Sequence, residues 1–289
     1  MKARNVTEKI MSGIFFVCGV ASIIAVIGIS AYMIISGLPA ISEIGLKDFL
    51  LGEVWKSTAA EPKFGILPFI LSSIYATFGA ILIGVPIGLL MAVFLSKIAS
   101  DRLASSVRPA VELLAGIPSV VYGLVGMIVL VPLVMKLFGI KSGTTLFSAI
   151  IVLAVMILPG IVSVSEHALR SVPRKYEEAS LALGATKTET IFKVSIPAAK
   201  SGITAGIVLG IGRAIGEAMA VMMVAGNVAN MPKLFGSVRL LTTAISSEMS
   251  YASGLQKQAL FSIGLILFVF IMIINSVLNY LLKGGRGHE

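Results

Sequence analysis

Two charged side chains stand in an apolar run where charge is costly. The segment SGITAGIVLGIGRAIGEAMAVMMVAGN, residues 201–227, carries Arg213 and, four positions on, Glu217. As a helix rising 1.5 Å per residue, it places Arg213 about 16 Å along the axis, near the middle of a bilayer core of about 30 Å. A charge at that depth costs roughly 2.5–3.5 kcal/mol on insertion scales, so the side chain must face protein or water. At about 100° per residue, Gly202, Gly206, Gly210, Arg213 and Glu217 fall within about 80° of one another. Glycines spaced by four let a second helix approach closely, so the stripe faces a helix-packed interior or a cavity within it. A guanidinium there matches carboxylate or phosphate oxygens and reads as the counter-charge for an anion in transit. Glu217, within reach at i+4, would hold the guanidinium and keep the site from trapping its anion. The alternative is a structural Arg–Glu pair that pins helices together. Ser119, beside Pro118, offers a hydroxyl where a helix must break; the alternative is a bond to its own backbone. No other chemistry competes. One cysteine, Cys18, and two histidines, His167 and His288, supply neither a disulfide framework nor a metal-ligand set.

The elements that position these residues follow from composition. Of 289 residues, 57% are hydrophobic and 13% charged, against about 25% charged in a soluble domain. Mean hydropathy is +1.00. No soluble core of this size hides that much apolar surface, which excludes a water-soluble enzyme. The net charge of +9 then reads as basic loops held against anionic lipid, not as a nucleic-acid footprint. Six stretches are long enough to span: 11–36, 66–95, 109–138, 145–164, 203–226 and 259–282. The second contains Gly84, Pro86 and Gly88, and the third Gly116, Pro118 and Pro132, so both are expected to kink. Placing the N-terminus inside puts fourteen Lys and Arg in inner segments and eight in outer ones, which favours both termini in the cytoplasm. This divides the chain into 1–65, a first helix with an external loop, and 66–289, a five-helix core.

Between the fourth and fifth stretches lies a polar insert, 167–200, HALRSVPRKYEEASLALGATKTETIFKVSIPAAK. Pro173 suits a helix start, and Gly184 a left-handed stop. Thr186 with Glu189 three positions on is a capping box for a second short helix, which Pro197 should end. Ala179, Ala182 and Ala185 give the hairpin a small-residue surface. From the residues alone it either docks a partner or lies on lipid headgroups.

The spacing Glu178-Ala179-Ser180, three residues, Gly184, nine residues, Val194-Ser195-Ile196-Pro197 resembles the EAA loop of ABC importer permeases: E-A-A, three residues, G, nine residues, I-x-L-P. Ser180, Val194 and Ile196 depart from it. LLAGIPSVVYGLVG (113–126), MILPGIVSVSEHALRSVP (156–173) and GRAIGEAMAVMMVAGN (212–227), with FGILPFI (64–70) and Trp55, are similar to the C-type permease of phosphate-specific importers over roughly residues 49–282. The resemblance implies an all-α integral membrane protein, a type I ABC importer bundle of six transmembrane helices with a cytoplasmic coupling-helix insert. It implies that Glu178, Ala179, Ser180, Gly184, Ile196 and Pro197 couple to a separate ATPase, and that Arg213 and Glu217 belong to the pathway for inorganic phosphate. The implied partners are two ATP-binding subunits, which hold ATP and Mg, a second permease (A type or an identical copy), and an extracytoplasmic phosphate-binding protein. No cofactor is implied on this chain, and no G-x-x-x-x-G-K-[ST] phosphate loop occurs in it. The expected site is a bacterial or archaeal cell (inner) membrane. Segments 37–65 and 227–258 would receive the binding protein or cap the bundle. The rivals are an ion-coupled transporter with Glu217 carrying a proton, a permease for sulfate or phosphonate, and a purely structural anchor. No inverted half is visible to support the first.

Overall fold

A chain in hydrocarbon must satisfy every backbone N–H and C=O internally, and the apolar runs accordingly fold as helices. The computed structural model describes residues 2–283; Met1 and 284–289, with Arg286 and His288 and the end of the expected core segment, lie outside the described residues. In chain order the helices are α1 (Lys2–Ile44), α2 (Leu46–Leu51), α3 (Leu67–Val93), α4 (Asp101–Gly116), α5 (Ser119–Val125), α6 (Val131–Phe138), α7 (Leu146–Arg170), α8 (Arg174–Ala182), α9 (Lys187–Thr190), α10 (Ile196–Ala198), α11 (Lys200–Gly216), α12 (Met219–Val224), α13 (Leu241–Glu248) and α14 (Gly254–Lys283). A two-stranded hairpin, β1 (Trp55–Lys56) with β2 (Lys63–Phe64), lies between α2 and α3. Three π-helical turns, Phe94–Ile98, Gly126–Leu130 and Ile191–Ser195, interrupt the helical course.

Among the described residues, five helices are long and apolar enough to span alone: Ile10–Ile44, Leu67–Ile98, Ser119–Phe138, Leu146–Arg170 and Gly254–Ser276. The sixth counts only when Lys187–Ala198 and Lys200–Gly216, which meet at 71°, are taken as one bent unit. Two expected spans differ in kind. The third is not one helix over 109–138: Pro118 forces Ile117 into an extended conformation, ψ 128, and separates α4 from α5. The fifth is not continuous to 226. Its glycine-rich end stops at Gly216, and Glu217 is extended with ψ 129. The fourth runs six residues past 164 to Arg170, so His167 lies in α7 and the insert proper starts later than 167.

Pro197 does not end the insert's second helix but sits inside α10. The π turn Ile191–Ser195 just before it widens the ring, so the missing N–H and bulky pyrrolidine are accommodated. Pro132, after the π turn Gly126–Leu130, repeats the device.

The core forms where α3, α7 and α11 meet. A Cβ added at Gly84 would lie 2.8 Å from Ile157, one at Gly88 2.9 Å from Ile161, and one at Gly210 2.9 Å from Ile161. Glycine therefore sets the spacing of α3 and α11 on α7, around buried Leu153, Met156, Ile157 and Ile161. A second core closes the outer end, with Phe49, Trp55, Phe64, Phe69, Leu241 and Leu260. α1 touches α14 there, where Ser262 Oγ donates to Gly37 O at 2.5 Å and Tyr32 meets Phe261 edge-on. Further along α1, Phe15, Phe16, Ile23 and Ile24 are all more than 60% exposed, a surface that only lipid or another membrane helix can solvate.

Candidate functional site

The break after Gly216 separates the two charges that the sequence paired. Glu217 is buried, and its Oε1 accepts the Ala220 N–H at 2.8 Å. It thereby serves as the carboxylate at the start of α12. Its backbone carbonyl accepts the Thr242 hydroxyl at 2.7 Å, which ties the hinge to α13. Among the described residues no Arg213–Glu217 ion pair forms, because the i+4 geometry ends with the helix. Arg213 is half-buried in the last turn of α11. On α5 the Tyr122 hydroxyl donates to Leu114 O at 2.6 Å, across the Pro118 break. Ser119 opens α5, half-buried. α5 is held against α12 by Gly123, where a Cβ would lie 2.8 Å from Ala220 Cα. Gly202, Gly206 and Gly210 all face α7, Gly202 so closely that a Cβ there would lie 2.4 Å from that of Ala168.

At the end of the bundle beyond α7 the insert is built by local rules. Glu189 N donates to Thr186 Oγ1 at 3.2 Å and Thr186 N to Glu189 Oε2 at 3.0 Å, completing the capping box. That backbone donor, with the Thr186 hydroxyl and Lys193, holds the Glu189 carboxyl below the usual carboxylate range. Gly184 has φ +88, where a side chain would be strained. Glu178, Ala179 and Gly184 are exposed, with Ser180 and Ile196 half-buried and Pro197 exposed. Leu183 is 90% exposed beside exposed Tyr176, Leu181 and Phe192, an apolar patch on a polar element.

Three side-chain clusters escaped the sequence reading. Glu177, adjacent to Glu178, bonds Lys97 and the Ser195 hydroxyl. Burial opposes its ionisation, but Lys97 and Ser195, helped by the charge of Arg174, outweigh that and hold its carboxyl below the usual range. Buried Glu166 on α7 pairs with Arg108 of α4, which also donates to Leu95 O at 3.3 Å. On the outer side, buried Glu248 accepts from Trp55 Nε1 (3.2 Å), Ser57 Oγ (3.1 Å), Gln256 Nε2 (3.0 Å) and Arg239. Segments 37–65 and 227–258 are thereby knitted into one cap. The i+4 spacing to Arg170 marks Glu166 only as one of a helical pair and says nothing of Arg108, and Trp55 and Ser57 lie more than 190 positions from Glu248; only helical phase separates Glu177 from Glu178.

A helical bundle of this order, bent at a polar insert, has the fold of the membrane subunits of type I ABC importers. The chain matches the structure of a bacterial alginate ABC transporter with TM-score 0.62 at 15% identity, over 93% of this chain and 92% of that one. It matches the MetNI methionine ABC transporter with TM-score 0.57 at 22% identity, over 76% and 94%. Residues 84–285 match the family described as binding-protein-dependent transport system inner membrane component, and the chain belongs to that family. It is therefore a multi-pass inner-membrane transport component and not itself an enzyme. The "Probable ABC transporter permease protein YqgH" of Bacillus subtilis is 38% identical over 91% of this chain and 87% of its own length. The phosphate transport system permease protein PstC of Pasteurella multocida is 35% identical over 78% of each chain.

Proposed function

We propose that the chain is the C-type permease of an ATP-driven importer of inorganic phosphate, forming half of the translocation pathway. One observation carries the reading: Arg213, half-buried in the last turn of an apolar helix, has no carboxylate partner among the described residues. The carboxylate expected to neutralise it shapes the hinge instead. A guanidinium so placed is available to a tetrahedral oxyanion. Identity to proteins named as phosphate permeases supports phosphate as that anion. Ser119, at the mouth of α5, belongs to the same pathway.

The exposed face of the insert, Glu178, Ala179, Leu183 and Gly184, with half-buried Ser180 and the Ile196–Pro197 corner behind it, receives a separate ATPase. Two copies of that ATPase bind ATP and Mg. The second permease is the A-type relative, and an extracytoplasmic phosphate-binding protein meets the cap of 37–65 and 227–258. Residues 1–65 act as the outer helix and external segment, 66–289 as the core, with both termini cytoplasmic.

The test is uptake of labelled phosphate by vesicles holding the whole complex. Arg213→Ala should assemble normally and lose uptake. Normal uptake by that variant would remove Arg213 from the pathway. Uptake without an ATPase subunit, driven by a proton gradient, would instead favour an ion-coupled transporter.

A further inference from the structure

One carboxylate oxygen joins α8 to the end of α3 and to the π turn that leads toward α11. Glu177 Oε1 accepts both from Lys97 Nζ and from Ser195 Oγ, the latter at 2.8 Å. Lys97 belongs to the π turn Phe94–Ile98 that finishes α3, and Ser195 to the π turn Ile191–Ser195 that leads through α10 into α11. Glu177 itself belongs to α8, the helix carrying the exposed Glu178 and Ala179. The Lys97 side chain is only 12% exposed and that of Glu177 26%, whereas the neighbouring Lys193–Glu189 pair is exposed at 75% and 47% and stays within the insert. An apolar joint of Ala92, Val93, Leu169, Val172, Ala199 and Ile203 lies where α3, α7 and α11 converge at this end. Parting Lys97 from Glu177 would strand a largely buried ammonium, so the pair stays made when the insert is displaced. π turns are frequent at functional sites and interrupt the regular helical ladder, so the two turns can give while the bonds hold.

We propose that Glu177 is the positioning residue that converts movement of the insert into joint movement of α3 and α11, the helix bearing Arg213. The insert's outer face would then grip the ATPase, and Glu177, one residue away, would pass the displacement inward. This rests on the coupling function assigned above.

The test uses the whole complex, chain with partner permease and ATPase, in proteoliposomes supplied with phosphate-binding protein, phosphate and ATP. Glu177→Gln and Lys97→Gln should each co-purify with the ATPase at wild-type yield and hydrolyse ATP within about twofold of wild type, while phosphate moved per ATP falls about tenfold. The exchange Lys97→Glu with Glu177→Lys should recover most of that ratio. Ser195→Ala, which leaves the ion pair intact, should lose about threefold, and Lys193→Gln should lose nothing. An unchanged ratio in both single variants overturns the proposal, as does an exchange variant no better than either single one. Loss of ATPase binding in Glu177→Gln but not in Lys97→Gln also overturns it, by making Glu177 part of the docking surface. A wild-type complex that moves no phosphate refutes the assigned function and takes this proposal with it.

Discussion

A carboxylate as buried as Glu248 needs its lone pairs filled, and four side chains from three segments fill them. Truncation leaves Arg239 and Trp55 without their acceptor inside the cap. Glu248→Ala should therefore lower stability by about 3–5 kcal/mol, and Glu248→Gln by less, since the amide keeps one acceptor. Thermal unfolding of the purified protein in detergent measures both. At Glu177 the consequence is pH dependence. Its carboxyl is held below the usual range despite burial, by Lys97, Ser195 and the charge of Arg174. A carboxyl lowered in the folded state stabilises the fold above its unfolded value, and that contribution disappears as pH falls through the folded one. Amide protection across 174–198, taken relative to the intrinsic exchange rate at each pH, should thus fall on acidification through the lower carboxylate range in wild type, and Glu177→Gln should show a flatter profile. Equal profiles would mean that the bridge contributes nothing to the insert's stability.

Among the elements, the legible features were those made by neighbours in sequence. The capping box of Thr186 and Glu189 depends on a three-residue spacing and forms as read. The left-handed Gly184 needs only its own missing side chain. The end of α11 was not legible. Gly216 weakens the helix, but the extended Glu217 is held by Thr242, twenty-five positions on. Pro118 announced a break without revealing that α4 becomes a separate helix outside the 119–138 span. Glycine by itself was ambiguous too, as α11 demonstrates. Gly202 abuts Ala168, while Gly212 has nothing within 4 Å. Gly202→Ala should push α11 off α7 and cost about 1–3 kcal/mol. Gly212→Ala should instead stabilise by roughly 0.5–1 kcal/mol through helix propensity. Chemical denaturation of the two variants side by side decides the matter; equal effects would refute the close approach at Gly202.

For the molecule as a whole, sidedness is the property on which the functional reading turns. The insert and the Glu248 cap lie at opposite ends of the bundle, so only one of them meets the ATPase. With Cys18 replaced by serine, Leu183→Cys should react with a membrane-impermeant maleimide in inside-out vesicles and stay unlabelled in intact cells. Labelling from outside would place the insert beyond reach of any ATPase and end the importer reading. Composition made the bilayer legible at once, but not the cap: its buried residues come from 40–69 and 241–263, and no pattern within either announces the other.

The π turn ahead of Pro197 carries an evolutionary consequence. It spends one more residue per turn than an ordinary helix. Delete a single residue between Thr190 and Pro197, and the wide ring closes to an ordinary α turn. The helix beyond keeps its face, so Gly202, Gly206 and Gly210 stay on α7, but the pyrrolidine of Pro197 then meets the carbonyl four residues back. A relative shortened by one residue in that stretch is therefore expected to have given up the proline as well.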